Sequence, residues 1–191
     1  MGQLCVGLSY TGRVGRPRAL LVMLVGAPGT GKSRLAKRLA AAIGAQVIET
    51  DRVRKQLFPE PRYTGGEHSA VYGWCHTLIR SALLVGRRVV FDATNLEERN
   101  RRRVYEIAED CDAKLLIVWA TAPPRVIEQR LLRRDQARDE DDLSDADWAI
   151  YLQLRRRAEP IRRPHLVVNT SADLAPLVRR IAAQVNGTEA G

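Results

Sequence analysis

The chain has 191 residues, 45% apolar and 28% charged, which suits one globular domain with a sizeable core. Its longest apolar runs fall well short of the ~20 residues a membrane helix needs, and Met1 to Arg18 does not read as a secretory leader. The formal net charge of +9 favours polyanionic partners, although a generally arginine-rich composition, with lysine only at 32, 37, 55 and 114, gives the same balance.

Three cysteines, Cys5, Cys75 and Cys111, are odd in number and lack metal-ligand spacing. They suggest a reduced, cytoplasmic setting and argue against a disulfide framework or a structural zinc site.

Residues 1–18, with five glycine or proline positions and three arginines after residue 12, read as a mobile basic extension. Residues 19–187 read as one domain and 188–191 as a disordered tail. Ala19 to Val25 is a continuous apolar run of the kind a doubly covered parallel strand needs. Leu35, Ala36, Leu39, Ala40 and Ile43 then recur at helical spacing, and Gly44 stands where a helix ends. Gln46 to Glu49 is a short strand leading to Thr50-Asp51, with a helix expected over Arg52 to Leu57.

Residues 67–85 have helical periodicity, with Val71, Trp74, Leu78, Ile79, Ala82 and Leu83 expected inward. Val89 to Phe91 is a buried strand delivering Asp92. Thr94 or Asn95 can cap a helix running to about Asp110, with Arg99, Arg101, Arg102 and Arg103 on or near its exposed side. Lys114 to Ala120 is the next strand, and Pro123-Pro124 opens a helix reaching Arg133 and Arg134.

The charged stretch 135–143 lacks a core-facing pattern. Ser144-Asp145-Ala146-Asp147 resembles a helix cap, followed by Trp148, Tyr151 and Leu152 turned inward. His165 to Val168 is a last strand, and Ser171 or Asp173 starts a terminal amphipathic helix. The alternation predicts an α/β fold: a parallel sheet of about five strands with helices on both faces and loops converging at the strands' C-terminal ends.

The stretch joining the first strand to the first helix carries the chemistry. Gly26-Ala27-Pro28-Gly29-Thr30-Gly31-Lys32-Ser33 fits G-x-x-x-x-G-K-[ST], in which glycines let successive N–H groups face phosphate oxygens. Lys32 can reach the β- and γ-phosphates, and Ser33 can offer its hydroxyl to magnesium. Asp92, after three apolar strand residues, has the form of a second magnesium-side acid, or of an ordinary strand-end acid. Asp51 is a candidate base for an attacking hydroxyl, or a helix cap. Arg54, one turn on, can grip an anionic or polar part of an acceptor or pair locally with Asp51. Arg130 and Arg134, also one turn apart, can close over ATP and neutralise the transferred phosphoryl group, or form a solvated helix face.

Taken together, Gly26–Ser33, Thr50-Asp51-Arg52-Val53-Arg54, Phe91-Asp92-Ala93-Thr94-Asn95-Leu96 and Arg130-x-x-x-Arg134 resemble the polynucleotide-kinase-like P-loop kinases. The similarity is to stand-alone bacterial members with an AAA-type ATP-binding domain, over roughly residues 20–186. It implies a P-loop NTPase three-layer sandwich with a helical lid, and transfer of the ATP γ-phosphate to an acceptor hydroxyl with Mg2+ as cofactor. It also implies nucleotide contacts along the loop and Arg34 and near Asn169 and Thr170, with acceptor contacts at Arg54, Thr94 and Asn95. Family members often carry Asp where Asn169 stands.

The acceptor expected from the resemblance is a nucleic-acid 5′-hydroxyl end. The same scaffold also resembles gluconate and antibiotic-hydroxyl kinases, so a small polar acceptor stays open, as does a nucleotide-binding switch that hydrolyses ATP slowly.

Overall fold

Strand β1 (Leu20–Val25) is buried along its whole length and lies at the centre of a five-stranded parallel sheet. The computed structural model describes residues 19–137 and 147–187, with the side chains of 134–137 outside that description. The other strands are β2 (Gln46–Glu49), β3 (Arg88–Asp92), β4 (Lys114–Thr121) and β5 (Leu166–Asn169), in the order β2-β3-β1-β4-β5. Against β1, β3 is in register from Leu20↔Arg88 to Met23↔Phe91, and β4 from Leu20↔Lys114 to Val25↔Trp119.

Alternation along β1 splits the core into two halves. Leu21, Met23 and Val25 join the half formed with α3 (Gly65–Leu84), α4 (Glu98–Asp110), α5 (Pro124–Ala137) and α6 (Trp148–Arg156). Leu20, Val22 and Leu24 join the half formed with α1 (Lys32–Ile43) and α7 (Ala175–Gly187). A strand apolar at every position is therefore one whose two faces are both covered. Helix α2 (Thr50–Leu57) lies at the β2 edge and packs on α3. This is the expected α/β P-loop architecture.

Local chemistry moves several expected boundaries. Helix α2 begins at Thr50, which puts Asp51 in its first turn, where the helix dipole favours a carboxylate. Helix α3 begins at Gly65 because Thr64 caps it, its Oγ1 accepting from the Glu67 N–H at 3.2 Å. The Glu67 carboxylate closes back on the N–H groups of Arg62 and Tyr63 at 3.0 and 2.7 Å. Neither Thr94 nor Asn95 caps α4, which starts at Glu98. Asn95 is left-handed at φ 47°, and its side-chain amide donates instead to the Leu24 carbonyl at 2.8 Å.

Three expected orientations are corrected. Trp74 is half exposed and Leu152 exposed, because the buried stripes of α3 and α6 run through Val71, Cys75 and Ile79 and through Tyr151. Arg101 is fully buried rather than solvent-facing. Its guanidinium donates to the carbonyls of Asn95 (3.0 Å), Leu96 (2.6 Å), Glu159 (3.1 Å) and Pro160 (2.9 Å) and pairs with Glu98. Five acceptors around one cation explain how it tolerates burial.

Asp147 caps α6, accepting from the Ile150 N–H at 2.8 Å. The expected extension 1–18, Ser144 to Ala146 of the expected cap, most of the charged stretch 135–143, the tail and the Arg134 side chain all lie outside the described residues. Among the described residues, no helix is long and apolar enough to cross a membrane.

Candidate active site

The sheet order brings the C-terminal ends of β1 and β3 side by side and sets β4 on the other flank of β1. The loop after β1 therefore lies over the middle of the site. Its first residue, Gly26, donates its N–H to the Thr94 carbonyl at 3.0 Å. A Cβ at Gly26 would sit 2.7 Å from the Ala120 carbonyl oxygen, a rigid backbone atom, so only glycine fits. Thr30 Oγ1 and Lys32 Nζ both donate to the Ala27 carbonyl, at 2.7 and 3.0 Å, and Gly31 opens α1 at φ 80°. The N-terminus of α1 thus closes the loop, an arrangement suited to holding phosphate oxygens.

On the β4–β5 flank, Arg130 is tied into the loop. Nη1 donates to Thr170 Oγ1 at 2.9 Å and to the Gly29 carbonyl at 3.3 Å; Nη2 donates to the Thr170 carbonyl at 3.0 Å. Thr170 Oγ1 donates onward to the Thr30 carbonyl at 2.6 Å. Burial and the charge of Arg34 disfavour the Arg130 cation. Asn169 is exposed, and its Oδ1 accepts from the Ser171 N–H and hydroxyl at 3.0 and 2.7 Å, shaping the turn after β5.

On the other flank, Asp92 ends β3 almost fully buried, and its Oδ2 has no hydrogen-bond partner. Burial pushes its carboxyl above the usual range, while the Lys32 charge and a hydrogen bond from Ser33 act the other way. A desolvated carboxylate with an open oxygen beside Ser33 is a fitting place for a cation. Among the described residues no group of three or more His, Cys, Asp or Glu is gathered to hold a metal alone. Two protein oxygens suit an ion that keeps its waters and takes phosphate oxygens, as magnesium does.

Glu49 lies beside Asp92 in the β2–β3 register, and its carboxyl is raised by burial first, then by Asp92 and Asp51. Three carboxylates therefore share this edge. Glu49 was not singled out from sequence, where a glutamate ending a four-residue strand carries no signal of its own.

Beyond them Arg54 is buried, with Nε and Nη1 lacking any hydrogen-bond partner. Its ion contact runs to Glu67 at 3.6 Å, and its guanidinium lies 4.8 Å from the centroid of the Tyr63 ring. Next to it His68 lies tilted against Tyr72 with ring centroids 4.4 Å apart, and burial and the Arg54 charge keep it neutral at lower pH than an ordinary histidine. The Thr94 side chain and the Asn95 backbone hydrogen-bond the Tyr72 hydroxyl, whose pKa burial pushes up to about 12. Helix α3 therefore supplies a wall that sequence reading assigned to the core alone. The signal was His68, Tyr72 and His76 at spacing i, i+4, i+8.

Residues 21–161 match the family model described as AAA domain, AAA_33. The chain belongs to that family. The relatives of this AAA_33 chain include an uncharacterized protein of Mycobacterium tuberculosis, 32% identical over 126 residues covering 60% of this chain and 25% of that one. L-seryl-tRNA(Sec) kinase of Methanococcus maripaludis is 26% identical over 122 residues, covering 61% of this chain and 47% of that protein. The chain thus spans less than half the length of either curated relative. Among solved structures, the Mycobacterium tuberculosis APS kinase CysC in complex with AMPPNP and APS superposes with a TM-score of 0.66 at 16% identity. That match covers 89% of this chain and 99% of that one, and it is a likeness of fold.

Proposed function

We propose that this AAA_33 protein is an ATP-dependent kinase that moves the γ-phosphate of ATP onto a hydroxyl, and that the acceptor is a nucleic-acid 5′-hydroxyl end. The observation carrying the acceptor half is Arg54. A buried guanidinium one turn from Asp51, whose Nε and Nη1 make no hydrogen bond and whose ion contact with Glu67 is long at 3.6 Å, is only partly satisfied and has room for a further anion. A phosphate flanking the reacting hydroxyl supplies that anion. The relative named L-seryl-tRNA(Sec) kinase supports a hydroxyl acceptor carried on a nucleic acid, though not the 5′ end itself.

In this reading the loop 26–33 holds the triphosphate, with Lys32 at the β- and γ-phosphates. Arg34, Asn169 and Thr170 lie on the nucleotide side, and Thr94 and Asn95 form the floor between donor and acceptor. Asp51 takes the proton of the attacking hydroxyl as its oxygen bonds to the γ-phosphorus; the bond from that phosphorus to the β–γ bridging oxygen breaks, and ADP leaves. Ser33 and Asp92 would hold magnesium, which when bound neutralises charge on the phosphates. Arg130 braces the nucleotide side, and Arg134 offers a second cation to the transferring group. Residues 19–187 form the catalytic unit.

The test is transfer from γ-labelled ATP to 5′-hydroxyl oligonucleotides, to gluconate and to aminoglycosides, by the parent protein and by Asp51→Ala. Labelled oligonucleotide lost in Asp51→Ala, with ATP binding retained, supports the proposal. Transfer to a small polar acceptor alone overturns the nucleic-acid half. Hydrolysis without transfer, unaffected by Asp51→Ala, overturns both halves.

A further inference from the structure

Beside the acceptor wall runs a cleft of about 410 Å³ between the start of α4 and the end of α6, lined by Glu97, Arg99, Arg156, Arg157, Ala158 and Glu159. We propose that this cleft is a second anion subsite, which holds the backbone phosphates of a single-stranded nucleic-acid acceptor downstream of the one at Arg54. The inference rests on the kinase reading above and extends it from an end group to a strand.

Continuity is the first argument. Glu97 and Arg99 follow closely on the Thr94–Leu96 loop, and His68 feels the charges of Arg54, Glu97 and Arg99 alike. The acceptor wall and the cleft are therefore neighbours along one path.

Charge is the second. Glu97 is neutralised by Arg99 at 2.6 Å, which leaves Arg156 and Arg157 against the single charge of Glu159, whose carboxylate accepts the Glu98 N–H at 2.5 Å. Arg156 and Arg157 are both exposed. The lining is therefore positive by one charge, with two arginines facing solvent, and attracts anions. Lysine and arginine rows on a polar helix end are often mere solvated charge. Here, however, they rim a concave and braced surface.

Rigidity is the third. The buried Arg101 bonds the carbonyls of Asn95 and Leu96 on one side and of Glu159 and Pro160 on the other, and the Glu159 N–H donates to the Leu96 carbonyl at 3.0 Å. The segment connecting α6 to β5 is thus bolted to the Asn95–Leu96 loop, so that the cleft's two sides keep a fixed separation. A preorganised track binds a flexible strand with less ordering cost than a mobile one.

The experiment uses the full chain and its Arg156→Gln/Arg157→Gln double variant. Binding of a fluorescent 5′-hydroxyl hexanucleotide is followed by anisotropy across a salt series, and phosphoryl transfer to a nucleoside 3′-monophosphate is measured separately. The short acceptor reaches Arg54 but not the cleft. The double variant is expected to bind the hexanucleotide about tenfold more weakly at 0.1 M salt, with a log–log salt slope smaller by about 1.4, the value for two lost single-strand phosphate contacts. Its KM for the nucleoside 3′-monophosphate stays that of the parent.

Equal hexanucleotide affinity and slope in the two proteins overturn the cleft, whatever the transfer assay gives. A parent protein that fails to phosphorylate the short acceptor counts against the kinase reading instead, while the anisotropy result still decides the cleft.

Discussion

Arg130 grips Thr170 twice, through its hydroxyl at 2.9 Å and its carbonyl at 3.0 Å, and the hydroxyl in turn donates to the Thr30 carbonyl. A side chain on α5 thereby fixes the turn after β5 against the phosphate loop. Thr170→Val keeps the shape and removes the relay, and Arg130→Lys removes the fork. Each leaves buried polar groups unmet, at a cost of about 1–3 kcal/mol. The expected result is a KM for ATP raised roughly tenfold or more in both variants, read by steady-state kinetics, with the KM for the acceptor unchanged.

In the proposed mechanism Asp51 and Arg54 have separate roles on the acceptor side. Asp51→Asn keeps the size and loses the proton acceptor, so kcat is expected to fall about 10²–10⁴-fold with ATP binding intact. Arg54→Lys keeps the charge but cannot present two parallel N–H groups, so the acceptor KM is expected to rise with little change in kcat. The reverse pattern, with Arg54→Lys lowering kcat alone, would place the guanidinium at the transferring phosphate.

Arg101 carries stability. Arg101→Met strips four backbone carbonyls of their donor inside the protein and is expected to cost about 3–5 kcal/mol in urea unfolding. Its neighbour Arg102 is exposed, and Arg102→Gln is expected to stay within about 0.5 kcal/mol.

His76 makes stability depend on pH. It packs edge-on against Phe91, its Nε2 has no hydrogen-bond partner, and burial, with a smaller push from Arg103, lowers its pKa to about 4. The unfolded chain binds the proton near pH 6.5 and the folded protein only near pH 4, so the unfolded state holds more protons between these values. The stability His76 contributes is therefore full above about pH 6.5 and is lost as the pH falls towards 4. His76→Gln is expected to flatten the fall in Tm across that window relative to the parent. The raised carboxyls of Asp92 and Glu49 act on stability with the opposite sign, and comparing the two proteins removes their effect.

The layered fold was readable because its signals are local and periodic. The apolar run at Leu20–Val25, the glycines of the phosphate loop and the αL glycine at Gly44 each act within a few residues of their position. What was not readable depends on neighbours distant in sequence. Arg101 looks like its exposed neighbours until Glu159 and Pro160 arrive 58 and 59 positions later. Glu49 becomes unusual only when the register sets Asp92 beside it. Asn95, a fair helix cap by type, is diverted by a carbonyl 71 residues earlier. The Arg130–Thr170 pair likewise spans 40 residues, so the repeat of arginines showed where a cation stands but not what it holds.

The position of β1 between β3 and β4 also bears on how this architecture can be remodelled. The groups that brace the phosphate loop from one flank, Arg130 and Thr170, come from the second half of the chain, whereas Glu49, Asp51, Arg54, Glu67 and His68 all come from the stretch between β2 and the middle of α3. The β2-to-α3 groups of the proposed acceptor side thus form one contiguous passage of sequence, apart from the phosphate loop and its Arg130–Thr170 brace. Exchanging residues 50–72 for the equivalent piece of another protein of this fold alters that passage and leaves the loop and its brace untouched, which makes the scaffold a natural chassis for chimeras that keep their fuel and change their target.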